Sequence, residues 1–293
     1  MVKCTELHLW WHSAGSRLVA SRAVHVDDEK KCRERLKSSR LAVVKVGGSS
    51  LSDKSGCIEA SRVDMLCEQL VALRRRGINV ILVSSGAIRS GRAVMQGLIK
   101  EDGIPHLQAL AAVGQVLLME AYRNTMATKG YRIAQILLTW DDFRVKKRLN
   151  NITNTLNVLL ASGVTPIINE NDTTAVDEIR FGENDTLSAL VSLHMHADLL
   201  VILSDIDGLY TGDPKERSSK LISYVESVTP EVEKLASNEY DGFGGMAAKL
   251  KAAKLVTEAG LPLVIANATD ERVLERLIDG EGIGTIFRPR ELR

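Results

Sequence analysis

Apolar runs of strand length recur along the chain, and most of them are separated by segments long enough to be helices. Leu41 to Val44 form the first such run, closing on Gly47 and Gly48. Residues 58–76 predict a helix ended by Gly77, and INVILV (79–84) predicts a buried strand. A long helix is expected over 108–128, with Leu110, Val113, Leu117 and Met119 apolar and an end near Gly130. Strand 131–139, helix 148–162 and strand 164–168 follow, then helix 185–196 and strand 198–204. The last third reads as a helix from Gly245 to Ala259, strand 261–266, a helix near 270–279 and a final GTIF strand. Continuously apolar strands alternating with helices predict a mostly parallel sheet covered on both faces, an α/β fold of three α/β/α layers.

No fixed-period repeat, proline-rich linker or low-complexity tract interrupts that pattern, so residues 41–289 read as one domain. The first forty residues differ. They carry Trp10 and Trp11 and a mixed-charge stretch from Asp27 to Arg40, without clear periodicity. They read as a poorly ordered N-terminal extension; organelle targeting is the alternative, since residues 1–25 are nearly free of acids.

Composition narrows the classes of partner. Lysine plus arginine (38) nearly balances aspartate plus glutamate (37), so no global field recruits nucleic acid or a membrane surface. The longest apolar runs, such as 197–203, are too short to cross a bilayer. The four cysteines, Cys4, Cys32, Cys57 and Cys67, show no metal or CxxC spacing. A reduced, cytoplasmic setting is expected.

The polar clusters lie where strands end, which is where ligands bind in open parallel α/β sheets. KVGGSS (45–50) joins the first strand to a glycine turn that could offer backbone N–H groups to phosphate, or could be an ordinary turn with a solvated lysine. PIINEND (166–172), FGENDTLSAL (181–190) and VILSDIDGLYTGDP (201–214) supply amides and carboxylates at further strand ends, with Asp185 read as a helix N-cap. DGFGGMAAKL (241–250) adds a second glycine-flanked lysine, Lys249. KVGGSS lacks the Gly-Lys-Ser/Thr of a P-loop, and GAIRSG (86–91) is not a dinucleotide fingerprint. His194 and His196, two apart, point away from each other if helical and are not read as metal ligands.

These motifs, with VSSGAI (83–88), QALAAVGQ (108–115), QILLT (135–139) and GGMAAKLKAA (244–253), resemble in order those of the glutamate 5-kinases of the amino-acid kinase family. The likeness runs from about Leu41 to Phe287, and the chain resembles the short forms without a C-terminal PUA domain. It implies the amino-acid kinase fold and ATP-dependent phosphorylation of the γ-carboxylate of L-glutamate, the first step of proline synthesis. By resemblance, Lys45 and Lys249 stabilise the transferring phosphoryl and Asp185 orients them. Gly47, Gly48 and Gly86 would lend backbone N–H groups. Ser85, Asn169, Asp172 and Asn184 would hold glutamate, an aspartate for its ammonium and hydroxyl or amide donors for its carboxylate. Ser204, Asp205, Phe243, Gly244, Gly245, Met246, Ala247, Ala248 and Lys249 would meet the nucleotide, Mg2+ arriving on its phosphates. Phe243 and Ala247 replace more polar residues common at those positions, which implies a lost phosphate contact. Proline as a feedback inhibitor and a homo-oligomer, dimer or tetramer, are further implications of the resemblance. Phosphorylation of another small acid, or a sensor without catalysis, would share the fold.

Overall fold

The structure, a computed structural model, describes residues 26–99, 103–174, 184–236 and 245–291. Among these, eight strands form one sheet in the order β3-β4-β2-β1-β5-β7-β8-β6. The strands are β1 (Leu41–Val46), β2 (Asn79–Ser84), β3 (Arg132–Leu138), β4 (Val164–Glu170), β5 (Leu199–Ser204), β6 (Tyr224–Val225), β7 (Leu263–Asn267) and β8 (Thr285–Phe287). Every pairing is parallel except β7 with β8, where Val264 faces Ile286 in an antiparallel pair. The chain reverses direction across the sheet at β1, which pairs with β2 on one side and β5 on the other. A crevice opens at such a switch point, beyond the carboxyl ends of the strands.

Strand pleating sends alternate residues of β1 to opposite faces. Ala42, Val44 and Val46 join one apolar core, while Val43 joins the other. By the same alternation Lys45 shares the face of Val43. On the Val44 face lie α3 (Ala60–Arg75), α5 (Ile104–Thr128) and α11 (Val273–Ile278), which supply Leu70, Tyr122 and Leu277. The Val43 face carries α7 (Lys146–Ala161), α8 (Asn184–His194) and α10 (Met246–Glu258), through Leu156, Leu187 and Leu250.

The long elements fall where the apolar pattern puts them, within a few residues. Short α2 (Gly48–Leu51) follows the first glycine turn, and the pattern missed the other short elements: α4 (Ala87–Val94), α6 (Trp140–Arg144), α9 (Pro230–Leu235) and β6. Gly91 interrupts the apolar stripe of α4, yet it is what lets the helix pack. A Cβ built on Gly91 would stand 1.9 Å from the Leu110 carbonyl oxygen, and one on Gly114 would stand 1.8 Å from that of Ala87. Paired glycines therefore allow α4 and α5 to touch backbone to backbone.

A poorly ordered extension over residues 1–40 does not describe their last part; residues 1–25 lie outside the described residues. Residues 26–36 form a helix, α1, with Leu36 buried in the core. Arg33 of α1 is buried and donates to the carbonyls of Glu281, Ile283 and Ser223 at 2.9–3.1 Å. It also pairs with Glu29 at 2.8 Å, and Glu29 accepts from the Ser223 hydroxyl. One guanidinium thus answers several part-buried loop carbonyls around β6 and β8.

Gly114→Ala should lower stability by at least about 1–3 kcal/mol, the usual cost of overpacking, because the clash is with backbone rather than a flexible side chain. Urea unfolding measures it; a midpoint equal to that of the unmodified chain would show that the helices separate freely.

Candidate active site

Lys45, Asp185 and Lys249 come from β1, α8 and α10, yet they meet on the Val43 face of the sheet. Lys45 Nζ lies 2.5 Å from Asp185 Oδ1, and Lys249 Nζ lies 3.8 Å from Asp185 Oδ2. The Asp185 side chain is fully buried, and those of Lys45 and Lys249 are only 5% and 9% exposed. Among the described residues the carboxylate accepts no other hydrogen bond. Burying a charge is costly unless it is paired, so the two lysines compensate the Asp185 carboxylate and Asp185 draws them together.

Asp185 is not an N-cap. It is the second residue of α8, whose first turn it shares with Asn184. Successive helical residues diverge by about 100°, so these two neighbours serve different groups of side chains. Asp185 faces the lysines. Asn184 donates both amide hydrogens, to Ser85 Oγ at 2.8 Å and to Asn169 Oδ1 at 2.9 Å. Its own Oδ1 is buried without a partner among the described residues. The amide thus leaves an acceptor unspent, where the sequence led one to expect an amide donor toward a carboxylate. Ser85 accepts from Asn184 and keeps its own proton to donate.

Asn169 is fixed by a donor that cannot reverse. The backbone N–H of Glu170 points at Asn169 Oδ1 at 2.9 Å. That leaves Asn169 Nδ2 to donate, and it reaches Gln115 Oε1 of α5 at 2.9 Å. Sequence reading passed over Gln115, whose only mark is its place in AVGQ beside the close-packed Gly114. Asp172 follows β4 in a turn closed by the Thr174 N–H to Asn171 carbonyl bond at 3.0 Å. Burial, and then the neighbouring Glu170 carboxylate, push its pKa up to about 7. The structure gives Asp172 no direct bond to Ser85, Asn169 or Asn184.

The glycine turns sit against each other. A Cβ on Gly48 would come within 2.7 Å of Gly86 Cα, and Gly86 itself adopts φ +116°. Residues with side chains would force the ends of β1 and β2 apart. At the end of β5, buried Ser204 donates to exposed Asp205 at 3.2 Å. Gly245 caps α10, and Met246, Ala247, Ala248 and Lys249 form its first helical turn, which contains no acid. That turn carries the positive end of the helix dipole. Phe243 and Gly244 lie outside the described residues. His194 ends α8 and stacks on Phe143 with ring centroids 5.6 Å apart, while His196 lies beyond the helix at φ +50°.

The amino acid kinase family model matches residues 40–267. Glutamate 5-kinase of Dictyoglomus thermophilum is 48% identical over 251 residues, covering 85% of this chain and 67% of that protein. Glutamate 5-kinase of Clostridium tetani is 46% identical over 258 residues, covering 87% and 97%. The crystal structure of UMP kinase from Bacillus anthracis superposes with a TM-score of 0.60 at 16% identity, over 86% of this chain and 97% of that one, and it shows the shared fold. No helix among the described residues is long and apolar enough to cross a membrane. The chain belongs to the amino acid kinase family, and within it to the glutamate 5-kinases.

Proposed function

We propose that the chain transfers the γ-phosphoryl group of ATP to the γ-carboxylate of L-glutamate, giving L-glutamyl 5-phosphate and ADP. One observation carries this reading: two buried lysines from distant parts of the chain share one buried carboxylate beside an amide cluster with a spare acceptor. The relatives named glutamate 5-kinase support the choice of acceptor acid.

A carboxylate oxygen of glutamate attacks the γ-phosphorus, and the bond from phosphorus to the β-γ bridging oxygen breaks. No base is needed, because a carboxylic acid of pKa about 4.3 is already ionised at neutral pH. The obstacle is repulsion between two anions. A unit charge about 4 Å away contributes roughly 4 kcal/mol at an effective dielectric near 20. Lys45 and Lys249, held by Asp185, supply such charges without reorganising as the reaction proceeds. Gly47, Gly48, Gly86 and the first turn of α10 offer backbone N–H groups to phosphate oxygens.

Asp172 and the Asn184 carbonyl accept from the α-ammonium of glutamate, and the Ser85 hydroxyl donates to a carboxylate. Ser204 and Asp205 face the nucleotide. Among the described residues no three His, Cys, Asp or Glu side chains cluster as a metal cage. Mg2+ arriving on the nucleotide's phosphates would offset their charge. Proline as feedback inhibitor, a homo-oligomeric assembly and a cytoplasmic setting belong to the same reading. It includes no nucleic-acid or membrane partner.

Glutamate-dependent ADP release, with the acyl phosphate trapped by hydroxylamine, tests the activity. If glutamate leaves ADP release unchanged, the acceptor is wrong. Lys249→Ala should cut turnover by about a hundredfold or more while thermal unfolding stays cooperative; near-native rates would remove this lysine from the mechanism.

The raised pKa of Asp172 gives a pH signature. Below pH about 7 its carboxyl gains a proton and no longer pairs with the ammonium, so the KM for glutamate should climb as pH falls from 8 to 6. The KM of Asp172→Asn should be high and flat over that range; a sloping profile would assign the titration to another group. The effect on stability has its own sign. A folded pKa above the ordinary 3.8 means the fold holds the proton more tightly, so this residue's contribution weakens as pH rises from about 4 to 7.

A further inference from the structure

Building on the glutamate reading, we infer that Gln115 is a positioning residue. Acting through Asn169, it keeps the Asn184 carbonyl turned toward the substrate's ammonium group. The hydrogen-bond chain has one direction from end to end. Gln115 Nε2 donates to Gln135 Oε1 of β3 at 3.1 Å, and Gln115 Oε1 accepts from Asn169 at 2.9 Å. Asn169 Oδ1 accepts from the Glu170 N–H and from Asn184. Asn184 then spends its second hydrogen on Ser85. If Gln115, Asn169 or Asn184 reversed, two donors or two acceptors would face each other at one of the buried links to Asn169, at a cost comparable to a lost hydrogen bond or more.

Gln115 is the member that reaches Asn169 from an element carrying none of the substrate side chains. It is 9% exposed, and it lies on α5 directly after Gly114, which presses that helix onto α4. Asn169 lies on the sheet face covered by α5, by the same alternation that puts Ile167 in the core beside Tyr122. A second α5 contact reaches the adjoining strand: the Tyr122 hydroxyl meets Ser84, the residue before Ser85, at 2.9 Å. Helix α5 therefore sets the glutamate half of the site from behind, while Lys45, Asp185 and Lys249 lie on the opposite face of the sheet. Without an acceptor at position 115 the buried Asn169 amide nitrogen has no partner. Only the Glu170 N–H then still holds that amide, and as Asn169 tilts toward another acceptor its bond to Asn184 loosens, leaving Asn184 free to offer its NH2 to the ammonium, donor against donor.

Gln115→Met keeps the side chain's length and removes both polar ends. The KM for glutamate should rise about tenfold, the effect of one misdirected hydrogen bond. The KM for ATP and kcat should stay within about twofold. The inhibition constant of glutarate, which lacks the ammonium, should also change by less than about twofold. Added to Asn184→Ala, Gln115→Met should raise the KM no further, because a residue acting through another is silent once that other is gone. An unchanged glutamate KM, an equal loss for glutarate, or additivity in the double variant would each overturn the proposal. If the methionine variant does not fold, Gln115→Asn stops one methylene short of Asn169 and is held to the same outcomes. The two readings fail differently. Unmodified protein that ignores glutamate overturns the substrate assignment, whereas normal turnover with an unaltered KM in the variant overturns only the role of Gln115.

Discussion

The buried carboxylate of Asp185 is the constraint on which the rest of the site depends. A carboxylate with no exposed surface needs compensating charge beside it, and removing one partner of such a pair typically costs about 3–5 kcal/mol. Lys45 arrives on the central strand and Lys249 on the first turn of α10. Bringing them to one carboxylate joins the two halves of the chain at the sheet's switch point. On the proposed reading, that crossing is where the two anionic substrates meet.

A single peptide step separates the two tasks. On the proposed reading Asp185 serves the phosphoryl side and Asn184 the amino-acid side, since helical geometry points consecutive side chains in different directions. The sheet repeats this division. Lys45 lies on the face covered by α8 and α10, and Asn169 on the face covered by α5. The glycines make the arrangement compact: Gly48 and Gly86 let two strand ends nearly touch, and Gly114 with Gly91 lets α5 lean in far enough for Gln115 to reach Asn169. Arg33 does comparable work at the far edge, where one guanidinium ties the helix at residues 26–36 to the β6 and β8 region.

Much of this was legible in the chain. Apolar runs bounded by Gly77 or Gly130 gave the long strands and helices, because burying both faces of a parallel sheet demands continuous apolar strands. The lysines and the INEND and GENDT segments marked the strand ends that carry polar groups. Less legible were α4, whose apolar stripe is broken by Gly91, and the helix at 26–36, whose charges gave no period. Its docking rests on Arg33 reaching carbonyls some 250 positions along the chain.

Sequence by itself determined which residue types stand at each strand end, because local periodicity and turn chemistry act over a few neighbouring positions. Tertiary structure alone decided that Asp185 sits within the helix and receives two ammonium groups, that Asn184 spends both amide hydrogens and keeps a buried oxygen unpaired, and that a glutamine on α5 belongs to the same hydrogen-bond chain. The physical reason is that burial and hydrogen-bond direction are set by what packs around a group. For these residues that surrounding comes from strands and helices far away along the chain.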